Sequence, residues 1–222
     1  MLKDIEAIIF DVDGTLLDSM WIWTEIDELF LKKYHLTKPE GFHKGMEGMS
    51  YSETAQYFLD LFPELTHTRE ELELEWYEMS YELYAKELSL KKGAYDFIKE
   101  MHDRGIKLGI ATSNNRELAL AALRHNNIDV CIDSVWTAGE AKAGKPNPAV
   151  YLRVAEDLEV APEKCLVFED VPNGILAGKK AGMKVCAVED PFSKPMADEK
   201  RALADYYIQD YDDIKKGTYE VL

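Results

Sequence analysis

Basic residues are in short supply in this chain: 26 Lys and Arg face 42 Asp and Glu, a formal net charge of −16 over 222 residues. Nucleic acid and anionic membrane surfaces reward clustered Lys and Arg, so neither is expected as a partner. Cysteine is scarce as well. Cys131, Cys165 and Cys186 stand far apart and form no Cys-x-x-Cys pair, an odd, scattered set that fits free thiols in a reducing cytoplasm. Long apolar runs are missing. Lys3, Asp4 and Glu6 precede a run of only four apolar residues, too short and too acidic for a signal peptide, and nothing approaches bilayer-spanning length. Internal repeats and low-complexity tracts are missing too. These absences lead to the expectation of a soluble, cytoplasmic protein, with a monomer as the default.

What is present suits a packed core. Hydrophobic residues make up 46% of the chain and include four Trp, eight Phe and twelve Tyr, which argues against disorder. The length accommodates one sizeable domain, or a core domain carrying a smaller inserted one. The acidic balance also bears on chemistry: the field of the whole protein repels anions, so a phosphate-bearing substrate requires local cations at short range.

Two textures divide the chain. From Met20 to about Glu87 the pattern is helical and aromatic, with Ile22, Ile26, Leu29 and Phe30 on one face and Leu72, Trp76, Met79 and Leu83 on another. Ser50–Glu53 and Thr68–Glu71 read as capping boxes that start helices. From Gly93 onward helices and strands alternate. Helix Ala94–Asp103, strand Ile106–Ala111, a helix near Glu117–His125 and strand Ser134–Thr137 come first. A helix capped by Asn147 with Pro148 at its first position follows, then strand Cys165–Phe168, helix Asn173–Ala181, strand Lys184–Val188 and a weaker strand at Tyr206–Ile208. The first strand, Ala7–Phe10, precedes the helical block. The economical reading is an α/β fold: a Rossmann-like, doubly wound parallel sheet formed by residues 1–15 and 91–222, interrupted by a helical-bundle cap at residues 16–90. Lys91-Lys92-Gly93 suits the return hinge.

Four segments carry chemistry. Asp11 and Asp13 stand one residue apart where the first strand runs into Gly14, on the same side of an extended backbone. Two carboxylates that close are tolerated mainly with a cation or a shared proton between them. A calcium loop needs an acid or amide at Thr15 and glycine at Leu16, and both positions fail. Thr112-Ser113-Asn114-Asn115 ends the second strand, where hydroxyls and amides either bind a phosphate oxygen or cap the next helix. Lys145, between Gly144 and Pro146, either serves Asp11 and a phosphoryl group or is a surface lysine beside a turn. Glu169-Asp170, ending a third strand, either completes oxygen coordination of Mg²⁺ with Asp11 and the carbonyl of Asp13 or is a charged strand end.

In this order, Asp-x-Asp-Gly-Thr, a strand followed by Thr-Ser, Gly-Lys-Pro, and Glu-Asp before a glycine-bearing helix resemble the four motifs of the haloacid dehalogenase superfamily. The likeness covers nearly the whole chain. Its inserted helical cap is similar to that of the subgroup containing β-phosphoglucomutase and phosphoglycolate phosphatase. The resemblance implies Asp11 as nucleophile toward phosphorus and Asp13 as general acid and base. It implies Thr112 and Lys145 as holders of the transferred group with Ser113 and Asn114 nearby, and Asp11, Asp13, Glu169 and Asp170 as carriers of Mg²⁺. Members that cleave carbon–halogen or carbon–phosphorus bonds lack the second acid, so Asp13 favours phosphate esters. The mutase has a histidine in the first cap helix and an arginine in the following loop that grips the distal phosphate. An ungapped alignment puts Trp23 and Tyr51 there, which favours a phosphatase of a small organic phosphate over a phosphosugar mutase. Met20, Trp21, Trp23, Met49, Tyr51 and Tyr57 form a candidate substrate lid. The histidines, at 35, 43, 67, 102 and 125, fall outside the motifs and are read as structural or solvated.

Overall fold

Four apolar residues ending in an acid make the central strand. β1 (Ala7–Phe10) is wholly buried, as a strand covered on both faces must be. Next come α1 (Met20–Lys33), α2 (Phe42–Met46), α3 (Tyr51–Leu61) and α4 (Arg69–Lys86), and then α5 (Ala94–Asp103), β2 (Lys107–Thr112), α6 (Arg116–His125), β3 (Ser134–Thr137) and α7 (Ala149–Asp157). β4 (Cys165–Glu169), α8 (Pro172–Lys180), β5 (Lys184–Val188), α9 (Ala197–Leu203), β6 (Tyr206–Ile208), α10 (Asp212–Lys216) and β7 (Glu220–Val221) complete the chain. This computed structural model describes residues 1–40, 42–46 and 48–222, without the side chains of residues 43 and 44, so the reading of His43 lies outside the described residues.

Among the described residues the strands form one seven-stranded sheet in the order β3-β2-β1-β4-β5-β6-β7, parallel except for the last pair. β1 lies between β2 and β4, with Phe10 opposite both Ile110 and Phe168. One residue further along, Asp11 emerges between Ala111 and Glu169. This is the switch point of an open α/β sheet, where strand order reverses and a crevice opens at the carboxyl ends.

Alternation divides β1 between two cores. Ile8 and Phe10 join α5 and α6 and, continuously, the helical block α1–α4, whereas Ala7 and Ile9 join α7 and α8. Beneath the crevice Phe10 stacks on Phe168 at 5.3 Å between ring centroids, with Phe97 and Tyr211 against them. The helical block leaves and rejoins the sheet through paired linkers. Leu17 bridges Leu90, and the Lys91 amide donates to the Leu16 carbonyl at 2.7 Å. Lys91 at the return is anchored rather than loose, since its Nζ donates to the buried Asp190 at 2.7 Å and to the Glu189 carbonyl at 2.9 Å.

Both capping boxes form as expected, on Ser50 and Thr68. Three local expectations are corrected. The α7 cap shifts by one residue: Pro148 occupies the cap position, while the Asn147 side chain accepts from the Ala149 amide at 3.0 Å. Leu29 is 52% exposed, because α1 turns Ile22, Ile26 and Phe30 inward and leaves the neighbouring row to solvent. On α4 the buried row is Leu72, Trp76, Ser80 and Tyr84, with Met79 and Leu83 only half-buried. Two of its polar groups have partners, the Ser80 hydroxyl returning to the Trp76 carbonyl at 2.8 Å and the Tyr84 hydroxyl taking the Trp23 indole N–H at 2.9 Å, while Trp76 Nε1 is buried without one.

Candidate active site

Lys145 sits at the centre of the crevice, 5% exposed. Its ammonium donates to Asp11 Oδ1 at 2.6 Å, to Glu169 Oε1 at 2.5 Å and to the Ala111 carbonyl at 3.2 Å. Three donors thus meet three oxygens, so the lysine is used up as an ammonium. Glu169 is held in turn by the Tyr151 hydroxyl at 2.6 Å on Oε1 and by the Asp170 amide at 3.1 Å on Oε2. Thr15 donates to Asp170 Oδ1 at 2.9 Å. Asp170 Oδ2 is buried with no hydrogen-bond partner.

One carboxylate oxygen each from Asp11, Glu169 and Asp170 lie within 4.8 Å of one another, all three residues buried. Three acids around one lysine leave this pocket short of positive charge. Loss of hydration therefore pushes the Asp11 carboxyl up to about 8 against the pull of Lys145, and burial with the charges of Glu169 and Asp11 raises Asp170 well above the carboxylate range. An orphaned carboxylate oxygen facing two further carboxylates is a donor set for a hard divalent cation, and the residues present fit Mg²⁺. Two glycines make the room. A β-carbon at Gly14, where φ is +79°, would lie 2.4 Å from Asp170 Oδ2, and one at Gly174 would lie 2.0 Å from the Glu169 carboxyl. The glycines of the first and fourth motifs are thus steric requirements of the carboxylates beside them.

The Asp13 carboxylate is not among the clustered oxygens; of this residue only the main-chain carbonyl is left for the ligand role expected of it. Its Oδ1 accepts from Ser19 Oγ at 2.6 Å and from the Tyr84 hydroxyl, and its Oδ2 accepts from Asn114 Nδ2 at 2.8 Å. Ser19 stands at the cap position of α1 but makes no capping bond; its hydroxyl donates to Asp13. Burial, with the Asp13 charge adding, pushes the Tyr84 phenol well above the ordinary tyrosine value, so it remains a donor at neutral pH. Sequence reasoning passed over Ser19, Tyr84 and Tyr151. The signal for Tyr84 was its place one turn beyond Trp76 and Ser80 at a four-residue spacing; no local pattern marks the other two.

Residues 8–188 match the model of the haloacid dehalogenase-like hydrolases. The chain belongs to that family. It is 30% identical over 180 residues, 81% of its length and 83% of the other's, to a phosphorylated carbohydrates phosphatase of Thermotoga maritima. Against (DL)-glycerol-3-phosphatase 2 of Arabidopsis thaliana the identity is 33% over 197 residues, 84% of this chain and 80% of the other. In fold it resembles the crystal structure of CbbY from Rhodobacter sphaeroides in complex with phosphate, with a TM-score of 0.81, 23% identity and coverage of 95% and 96% of the two chains.

Above the acids this haloacid dehalogenase-like hydrolase has a cavity of about 650 Å³ between sheet and helical block. Asp11, Asp13, Thr112, Ser113, Asn114, Lys145 and Asp170 line its floor, and Trp23 and Tyr51 line its roof. All of these were singled out from sequence. Of the remaining lid candidates Met20 and Met49 line the cavity, whereas Trp21 and Tyr57 do not. Trp21 is 46% exposed, its indole bonded to the Asp18 carbonyl, and the Tyr57 hydroxyl lies against Gly45. Asp27, Thr54, Trp76 and Phe192 also line the cavity and were not expected there. The roof is latched to the floor: the Tyr51 amide donates to the Ser113 carbonyl at 2.8 Å, and Gly48 packs so tightly on the Lys145 carbonyl that a β-carbon would reach 2.4 Å. His35, His102 and His125 are exposed, and His67 bonds the Tyr34 hydroxyl away from the site. No helix among the described residues is long and apolar enough to cross a membrane, and all three cysteines are free and buried.

Proposed function

We propose that this hydrolase is a Mg²⁺-dependent phosphatase that cleaves a small phosphate monoester of a sugar or polyol through an aspartyl-phosphate on Asp11. The observation that carries the reading is the Lys145 ammonium clamped between Asp11 and Glu169 beneath the cavity, beside a buried Asp170 oxygen that lacks a partner. An Asp11 oxygen attacks phosphorus and the ester P–O bond breaks, while Asp13 gives the departing alcohol its proton. Asp13 then takes a proton from the water that cleaves the Asp11–phosphate bond. Lys145 holds the nucleophile in place and faces the phosphoryl oxygens with positive charge, Glu169 and Tyr151 hold the lysine, and Thr112, Ser113 and Asn114 border the transferred group. Asp11, Asp170, the Asp13 carbonyl and Glu169 would hold a divalent cation, which would supply further neutralisation of the charge on the phosphoryl group.

Residues 16–90 act as the cap on a core of 1–15 and 91–222, and they set the leaving group. Trp23, Tyr51 and Trp76 offer ring faces suited to a sugar or polyol chain, in keeping with the phosphatases to which the chain is similar. Among the described lining residues Lys145 is the only cationic side chain, so a second phosphate has no clamp there, and hydrolysis is favoured over transfer within a phosphosugar. The protein works as a soluble cytoplasmic monomer on a small-molecule ester.

Purified protein should release inorganic phosphate from 4-nitrophenyl phosphate in Mg²⁺, lose the activity in EDTA and lose it in Asp11→Asn. Turnover that persists in Asp11→Asn would refute the nucleophile assignment. With β-glucose 1-phosphate, free phosphate is the expected product; glucose 6-phosphate in its place establishes the mutase.

A further inference from the structure

Tyr84 is the last member of the buried row on α4, fully shielded from solvent, and its hydroxyl has a complete set of partners. Trp23 Nε1 and Asn114 Nδ2 each lie 2.9 Å from it. An indole N–H can only donate, and so can an amide nitrogen. The amide of Asn114 cannot be reversed, because its Oδ1 accepts from the Asn115 backbone N–H at 2.6 Å. Both lone pairs of the phenol oxygen are therefore filled, and its single proton has one destination, Asp13 Oδ1. The other Asn114 amide hydrogen goes to Asp13 Oδ2. A closed ring of bonds results, Tyr84 to Asp13, Asn114 to Asp13 and Asn114 to Tyr84, with Trp23 as an outside donor. Such a ring fixes both the position and the plane of the Asp13 carboxylate. Tyr84 on α4 and its outside donor Trp23 on α1 come from the helical block; Asp13 and Asn114 follow the ends of β1 and β2.

We propose that Tyr84 is a positioning residue for the proton-transferring Asp13, so that protonation of the leaving group depends on a phenol supplied by the helical block. The proposal rests on the phosphatase reading above. Tyr84 touches no reacting atom and acts through Asp13, directly and by way of Asn114. Its removal must then hurt most where the departing oxygen most needs a proton. Nitrophenolate leaves readily without one, whereas an alkoxide does not; general-acid assistance is worth about 10²–10⁴-fold when it is required. A residue that merely supports the fold lowers both reactions alike.

The test compares kcat/KM for 4-nitrophenyl phosphate, phenyl phosphate and glycerol 3-phosphate in the full-length protein with Mg²⁺, for wild type, Tyr84→Phe and Trp23→Phe. Tyr84→Phe keeps the ring and its packing and deletes only the hydroxyl. Its loss should be at least about tenfold greater for glycerol 3-phosphate than for 4-nitrophenyl phosphate, with phenyl phosphate between them. Trp23→Phe leaves the Tyr84 hydroxyl but removes one of the two donors that orient it; because Trp23 also lines the cavity roof, its effect is read between the two aryl esters, which present the same ring, and should be larger for phenyl phosphate than for 4-nitrophenyl phosphate. It serves as the deciding variant should Tyr84→Phe not fold. Equal losses across the three esters, or no loss, overturn the proposal and leave the phosphatase intact. A wild type that releases phosphate from none of them removes the phosphatase reading and the proposal together.

Discussion

Gly174 lies directly under Glu169: a β-carbon there would come within 2.0 Å of the carboxyl carbon and Oε1. The first turn of α8 passes so close to the end of β4 that the acid has room only above a residue without a side chain. Gly174→Ala therefore pushes Glu169 off Lys145, and the lysine loses one of the two carboxylates that hold it. A displacement of about 1 Å at a reacting centre costs on the order of 10²-fold in rate. Steady-state kinetics on 4-nitrophenyl phosphate should show that loss mainly in kcat, with overpacking costing about 1–3 kcal/mol in a thermal melt. Wild-type kinetics in Gly174→Ala would show that the contact relaxes without moving the lysine.

The unpartnered oxygen of Asp170 gives a second prediction that needs no turnover. In the absence of metal the cluster holds three buried acids against one ammonium, and the burial that raises Asp170 measures how unwelcome its charge is. Asp170→Asn keeps the bond from Thr15 and deletes the charge. The metal-free variant should melt above the metal-free wild type, and the order should reverse in saturating Mg²⁺. A cation present at about 100 times its dissociation constant adds about 2.7 kcal/mol to wild type through binding the folded state alone. Differential scanning fluorimetry with and without Mg²⁺ reads both effects. A melting temperature of wild type that ignores Mg²⁺ removes the cation site.

Most of the sheet was legible because its strands are short apolar runs ending in glycine or polar turns, with helices between them. The same periodicities mark β1, β2, β4 and β5 and place Asp11, Thr112 and Glu169 at strand ends. β7 was not legible: Glu220 and Val221 are both exposed at an antiparallel edge, so no burial pattern distinguishes them from coil. The helical block was legible as helices but not in detail, because apolar content alone does not choose between adjacent rows of one helix. On α4 the inward row is settled by where Ser80 and Tyr84 find partners, and the partner of Tyr84 is 71 residues away in the chain. Tyr151 and Ser19 escaped for the same reason, since each serves the site by donating a hydroxyl proton to a carboxylate elsewhere in the fold, Glu169 for one and Asp13 for the other.

Asp27 provides a prediction in pH. It lies buried on α1 at the cavity wall, where loss of hydration lifts its carboxyl to about 7, with Lys38 opposing and Glu28 adding. In the unfolded chain the same group titrates near its ordinary value of 3.8. Between these values the folded protein holds a proton that the unfolded chain has released, so raising the pH across this window lowers stability. Below about pH 4 both states are protonated and the penalty vanishes; above about pH 7 both are ionised and it is constant. Asp27→Asn retains the shape and removes the ionisation. As the pH rises from about 4 to about 8 the melting temperature of wild type should fall relative to that of the variant, and above about pH 8 the difference between them should stay constant. A difference that does not change between pH 4 and pH 8 would mean that Asp27 titrates alike in the folded and unfolded chains, and that the wall it forms is built around a carboxylate rather than a neutral acid.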